Sequence, residues 1–75
     1  MNRQEAKAAA EKLQAEVDEL RSRMEFFRVQ RERLIAGADA GEVLLAICSY
    51  YEDMLRDSIP RMEQHVRIFR EATSG

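Results

Sequence analysis

From Ala6 to Leu34 the side chains Ala6, Ala10, Leu13, Val17, Leu20, Met24, Phe27, Arg31 and Leu34 recur in alternating steps of four and three. With Ala10 at position a of a heptad, Val17 and Met24 also fall at a, and Leu13, Leu20, Phe27 and Leu34 fall at d. Sustained over four heptads, this period defines a coiled-coil seam rather than a generic amphipathic face. A helix with such a seam must lay it against another helix. The pattern predicts a first helix from about Arg3 to Ala36, supported by Glu19 and Arg23 in the favourable i,i+4 order.

The seam stops at a single punctuation mark, Ala36-Gly37-Ala38-Asp39-Ala40-Gly41. Gly37 suits the left-handed position after a helix. Asp39 suits the next N-cap, with Glu42 three residues on completing a capping box and Ala38 and Val43 available for a small hydrophobic staple. A turn of residues 37–39 is short enough to force the two helices antiparallel. The numbers of facing residues should then add to about 76, setting Phe27 near Ser49 and Tyr50, Leu20 near Arg56 and Leu13 near Glu63.

The second helix is expected from about Ala40 to Ala72. Its apolar positions are Leu44, Cys48, Tyr51, Leu55, Ile59, Met62, Val66 and Phe69. The two successive steps of four, from Tyr51 through Leu55 to Ile59, read as a stutter in the heptad phase. Pro60 lies just beyond, where it removes a backbone donor and crowds the preceding turn. The helix is expected either to kink there or to stop near Asp57 or Ser58 and restart with Pro60 in its first turn.

Each helix of a hairpin covers only one stripe of the other. The segment Val43 to Cys48 is continuously apolar, and Tyr50, Tyr51, Met54 and Leu55 extend it, so this helix demands burial on more than one side. Phe26 and Val29 are the milder excess on the first helix, and Ser49 and Glu52 are taken as tolerant surface positions. The expected fold is therefore all-α: a single-domain antiparallel helical coiled-coil hairpin, with a kink or break near Pro60, associating into a four-helix bundle. The expected interface residues are Phe26, Phe27, Leu45, Ile47, Tyr50, Tyr51 and Met54. The partner is a second copy of the chain, a helical partner protein, or both.

Composition narrows the function classes. At 75 residues the chain has little core of its own. One cysteine and one histidine offer neither an internal disulfide nor a structural zinc site. No run of about 18 apolar residues is present to span a membrane, and the charged, Ala-rich stretch from Met1 to Glu11 lacks the apolar region of a signal peptide. A cytoplasmic location is expected. The net charge of −2 argues against a dedicated nucleic-acid binder, although ten of the twelve cations are arginine. Arg21 to Arg33 holds five Arg and two Glu, interleaved with Phe26 and Phe27. That stripe is the basis of an alternative reading as an RNA- or DNA-associated hairpin dimer.

No phosphate loop, dinucleotide fingerprint, HExxH or calcium loop occurs. His65 beside Val66 reads as a packed or solvated side chain. Cys48, inside an apolar run, reads as an inert thiol, and Ser49 lacks the strand-turn-helix elbow of a hydrolase nucleophile. No catalytic residue, cofactor or metal is expected. Arg31 stands out as a cation at a seam position. It either snorkels outward, sets register at some cost in stability, or faces a carboxylate, either Glu42 across the hairpin or an acidic ligand.

Val17-Asp18-Glu19-Leu20 followed by Met24, Phe27 and Arg31 is similar to the first helix of the small all-helical chorismate mutases, and Ile47 to Gln64, with Tyr51 and Ser58, resembles their last helix. The resemblance implies a degenerate member. The family's early Arg would fall at Gln14, its middle helix has no counterpart across Gly37 to Gly41, and Arg31 alone of the catalytic set would remain. The residues themselves favour a non-enzymatic interaction module: an adaptor, co-chaperone, inhibitor or accessory subunit of a bacterial or phage assembly.

Overall fold

The computed structural model describes residues 1–37 and 41–74. It consists of two long helices, α1 (Arg3–Ala36) and α2 (Glu42–Ser74), packed along their length in a body 55 Å long and about 15 Å across. Among the described residues there is no strand, and no helix is long and apolar enough to cross a membrane.

The ends of the helices are fixed locally. The Asn2 side chain accepts a 2.8 Å hydrogen bond from the Glu5 N–H, satisfying one of the unpaired donors of the first turn. At the other end of α1 the Gly37 N–H donates to the Arg33 carbonyl at 2.9 Å, with Gly37 at φ −91°. The left-handed conformation expected at Gly37 is therefore not adopted. A Cβ there would sit 3.3 Å from the Arg33 carbonyl oxygen, so the missing side chain relieves a close approach instead.

α2 begins two residues later than the sequence pattern suggests. The Leu44 and Leu45 N–H groups both donate to the Gly41 carbonyl, at 3.1 and 3.3 Å, which puts Gly41 at the cap and Glu42 in the first turn, where its charge complements the helix dipole. The expected cap Asp39 and staple residue Ala38 lie outside the described residues.

The later start shifts the pairing along the hairpin. Phe27 meets Tyr51, Arg31 meets Glu52, Arg21 meets Glu63 and Gln14 meets Arg70, so the numbers of facing residues add to between 78 and 84 rather than 76. Side-chain direction accounts for the larger values. Long helical side chains lean toward their own N-terminus. In an antiparallel pair the α1 tips lean away from the turn and the α2 tips toward it, so tips that meet belong to an α1 position nearer the turn and an α2 position farther from it, and both numbers rise.

The core cluster is Val17, Leu55, Ile59 and Val66, with Leu13, Leu20, Met24, Phe27 and Met62 packed against it. Toward the chain ends, Ala6 and Ala10 are buried, and their small size lets the helices approach closely. The inward stripe of α2 runs Leu45, Cys48, Glu52, Leu55, Ile59, Met62, Val66 and Phe69, all buried or half-buried. Its steps alternate three and four without interruption. The stutter read from the sequence is thus absent. It arose from assigning the seam position to apolar Tyr51, whereas the chain places charged Glu52 there.

α2 passes through Pro60 unbroken, which removes the alternative of a helix that ends near Asp57 and restarts. The tertiary amide at Pro60 leaves the Arg56 carbonyl without its usual i+4 donor. Pro60 is exposed, so that carbonyl's side of the helix is open to water. One turn earlier the Ser58 hydroxyl donates to the Met54 carbonyl at 2.9 Å. Restoring the N–H with Pro60→Ala is expected to stabilise the protein by about 1 kcal/mol or more, read as a raised midpoint in denaturant. A lowered midpoint would show that the proline ring makes contacts the alanine cannot replace.

Candidate functional site: a polar layer and an outward apolar face

The loop-proximal half of the hairpin is built inside out. Its inward positions include a charge pair, and many of its large apolar side chains are exposed.

Arg31 occupies a seam position on α1 and Glu52 the facing one on α2. Arg31 Nε lies 2.5 Å from Glu52 Oε2, and its NH2 reaches Oε1 at 3.5 Å, a forked contact of the kind guanidinium makes with carboxylate. Glu52 is 4% exposed as a residue, while the Arg31 side chain keeps 35% of its surface in water. Hydrogen bonding to Glu52, then the charge of Glu52, pushes the Arg31 guanidinium above its ordinary range. The carboxylate facing Arg31 is thus Glu52, not Glu42, and Glu52 is not the tolerant surface position expected of it. Two sequence signals lead to it: Arg31 in the seam of one helix, and an uninterrupted three-four stripe in the other.

The interface residues picked from sequence divide into two groups. Leu45 and Phe27 are half-buried, Leu45 on the inward stripe and Phe27 against the core. Phe26, Ile47, Tyr50, Tyr51 and Met54 are exposed, at 57, 45, 63, 38 and 41%, together with Val43, Leu44 and Ile35. The aromatics form one chain across both helices. Phe26 meets Phe27 edge-on at 5.5 Å, Phe27 stacks on Tyr51 at 4.9 Å and 12°, and Tyr51 meets Tyr50 edge-on at 5.5 Å. Offset-stacked and edge-to-face pairs of this kind are the favoured geometries. Beside them, Val43, Ala46, Ile47, Tyr50 and Tyr51 line an open apolar groove of about 490 Å³.

The arginines of the basic stripe are largely engaged. Arg21 pairs with Glu63 of α2 at 2.6 Å, Arg23 with Glu19 at 2.5 Å, and Arg28 with both Glu25 and Glu32. Hydrogen bonding from Arg28 holds the Glu25 carboxyl below its usual range. The small contribution of that exposed pair is therefore present at neutral pH and lost as pH falls through the lowered value. His65 is exposed beside Ser58, Arg61 and Met62, and Cys48 is a buried free thiol. Among the described residues no cluster of His, Cys, Asp or Glu could hold a metal ion.

Compared with protein-family models, with curated proteins and with solved structures, the chain shows no match.

The polar layer itself is open to test. Arg31→Met strands the buried Glu52 carboxylate and is expected to lower the thermal midpoint by roughly 10 °C or more. Arg31→Met combined with Glu52→Leu is expected to recover the midpoint or exceed it, because an apolar layer needs no desolvation of charge. An Arg31→Met midpoint equal to that of the unmutated protein would mean that the pair is solvated and adds nothing.

Proposed function

We propose that this protein is a non-enzymatic protein-interaction module that works by helix packing through the loop-proximal face of its hairpin. The observation that carries the reading is the contiguous apolar surface from Phe26 through Tyr51 and Tyr50 to Val43. Apolar patches of this kind mark interaction sites on small proteins, and rigid aromatics such as Tyr are the residues that anchor interfaces. A helix laid into the Val43–Tyr50 groove would complete the layer that two helices cannot supply to one another, and a pair of helices would make a four-helix bundle.

A bend at Pro60 would set the direction in which the distal segment leaves that bundle, bringing Met62 to Phe69 against a partner seated on the proximal half. The role is that of an adaptor, co-chaperone, inhibitor or accessory subunit of a bacterial or phage assembly, acting in the cytoplasm.

Tyr50→Asp tests the face. Tyr50 is 63% exposed in the hairpin, so the isolated hairpin should change by no more than about 0.5 kcal/mol. Association through the face should weaken at least 100-fold, in the range of an interface anchor. Circular dichroism at low concentration reads the first quantity, and sedimentation or pulldown of the Tyr50→Asp chain against the unmutated one reads the second. Separately, a photo-crosslinking side chain placed at position 50 of the otherwise unmutated chain reports, in an extract of the source organism, whether the face is covered. Absence of any protein adduct from position 50, to itself or to another chain, would overturn the proposal.

A further inference from the structure

We infer that the occupant of the apolar face is a second copy of this chain, docked antiparallel along α2 with Ile47 against the partner's Tyr50 and Val43 against the partner's Met54. The inference rests on the proposed interaction role and names its partner.

Three observations lead there. The first is spacing. Val43, Ile47, Tyr50 and Met54 all point away from α1, and their steps are four, three and four. That is a second heptad stripe, on the opposite side of α2 from the Glu52–Leu55–Ile59 seam. A four-three-four stripe reads the same in reverse, so it meets its own copy across a two-fold axis with every residue in register. An isologous contact needs a stripe that meets itself in register, and this one does.

The second is side-chain size. The two-fold places the short Val43 opposite the long Met54, and Ile47 opposite the larger Tyr50. Each layer therefore combines a smaller with a larger residue, which fills space without voids. The groove of about 490 Å³ bounded by Val43, Ile47 and Tyr50 lies where a partner knob would enter. On one flank of the stripe, Leu44 and Tyr51 of each copy come together and extend the contact through Phe27 and Phe26 to α1. On the other flank, Ala46 lies near Asp53 of the copy and leaves the edge open to water.

The third is area. Phe26, Ile35, Val43, Leu44, Ile47, Tyr50, Tyr51 and Met54 are between 38 and 71% exposed. Their exposed surface is on the order of 800 Å² per chain, an upper bound on what they can bury and the size that each partner of a standard interface gives up.

The test uses the full chain with Cys48→Ala as background and reads sedimentation and disulfide crosslinking together. Sedimentation should show a dimer at micromolar concentration, weakened at least 100-fold by Ile47→Asp. Under mild oxidation, an equimolar mixture of Ile47→Cys chains and Tyr50→Cys chains should give the mixed crosslinked dimer. Val43→Cys alone should not crosslink, because the two copies of residue 43 stand about 16 Å apart along the helix. A Val43→Cys homodimer would overturn the antiparallel register. A chain that stays monomeric at 100 μM would overturn self-association. If such a monomer still forms adducts from position 50 in source extract, the face binds a different protein and the interaction role stands. If it forms none, both readings fail together.

Discussion

Two helices can bury only one stripe of each other, and every unusual feature of this protein follows from how that single seam is filled. From Val66 to Leu55 the seam is apolar and the core closes normally around Val17. Toward the chain ends it narrows to Ala6 and Ala10. Toward the loop it holds Arg31 and Glu52, whose forked contact replaces apolar packing. Such a pair gains Coulomb energy but gives up hydration, so it adds less cohesion than a leucine layer. The half of the hairpin with the most apolar side chains is therefore the half that uses them least internally.

This inversion explains which parts of the fold were legible in the sequence. The first helix was readable because all but one of its seam residues are apolar, and the antiparallel hairpin followed from the short Gly-containing connection. The second helix differs from its sequence pattern at its start and at one seam position. A reading that looks for apolar residues must pass from Cys48 to Tyr51, because Glu52 carries a charge, and the detour creates a stutter that the structure does not contain. A charge at a seam position is invisible until its counter-charge is known. The information was present in Arg31, which sits at the same kind of position on α1, but which carboxylate it faces depends on the register between helices. Register in turn depends on where α2 begins, and the Gly41 carbonyl moves that start to Glu42. The exposed face was legible as an excess of apolar residues but not as an ordered surface. Its aromatic chain depends on Phe27 stacking across the hairpin on Tyr51.

The polar layer and the outer face are also linked physically. An apolar seam tolerates sliding by a heptad, because one leucine layer resembles the next. A single Arg–Glu layer does not, since a slip would bury both charges without partners. Fixing the register of α1 against α2 fixes Phe27 against Tyr51, and with it the orientation of Tyr50 and Phe26 at either end of the aromatic chain. The pair thus exchanges internal cohesion for a defined outer surface. On this account the cost in hairpin stability would be recovered when the outer face is covered, and the charge pair would become part of an interior wider than either hairpin could build alone.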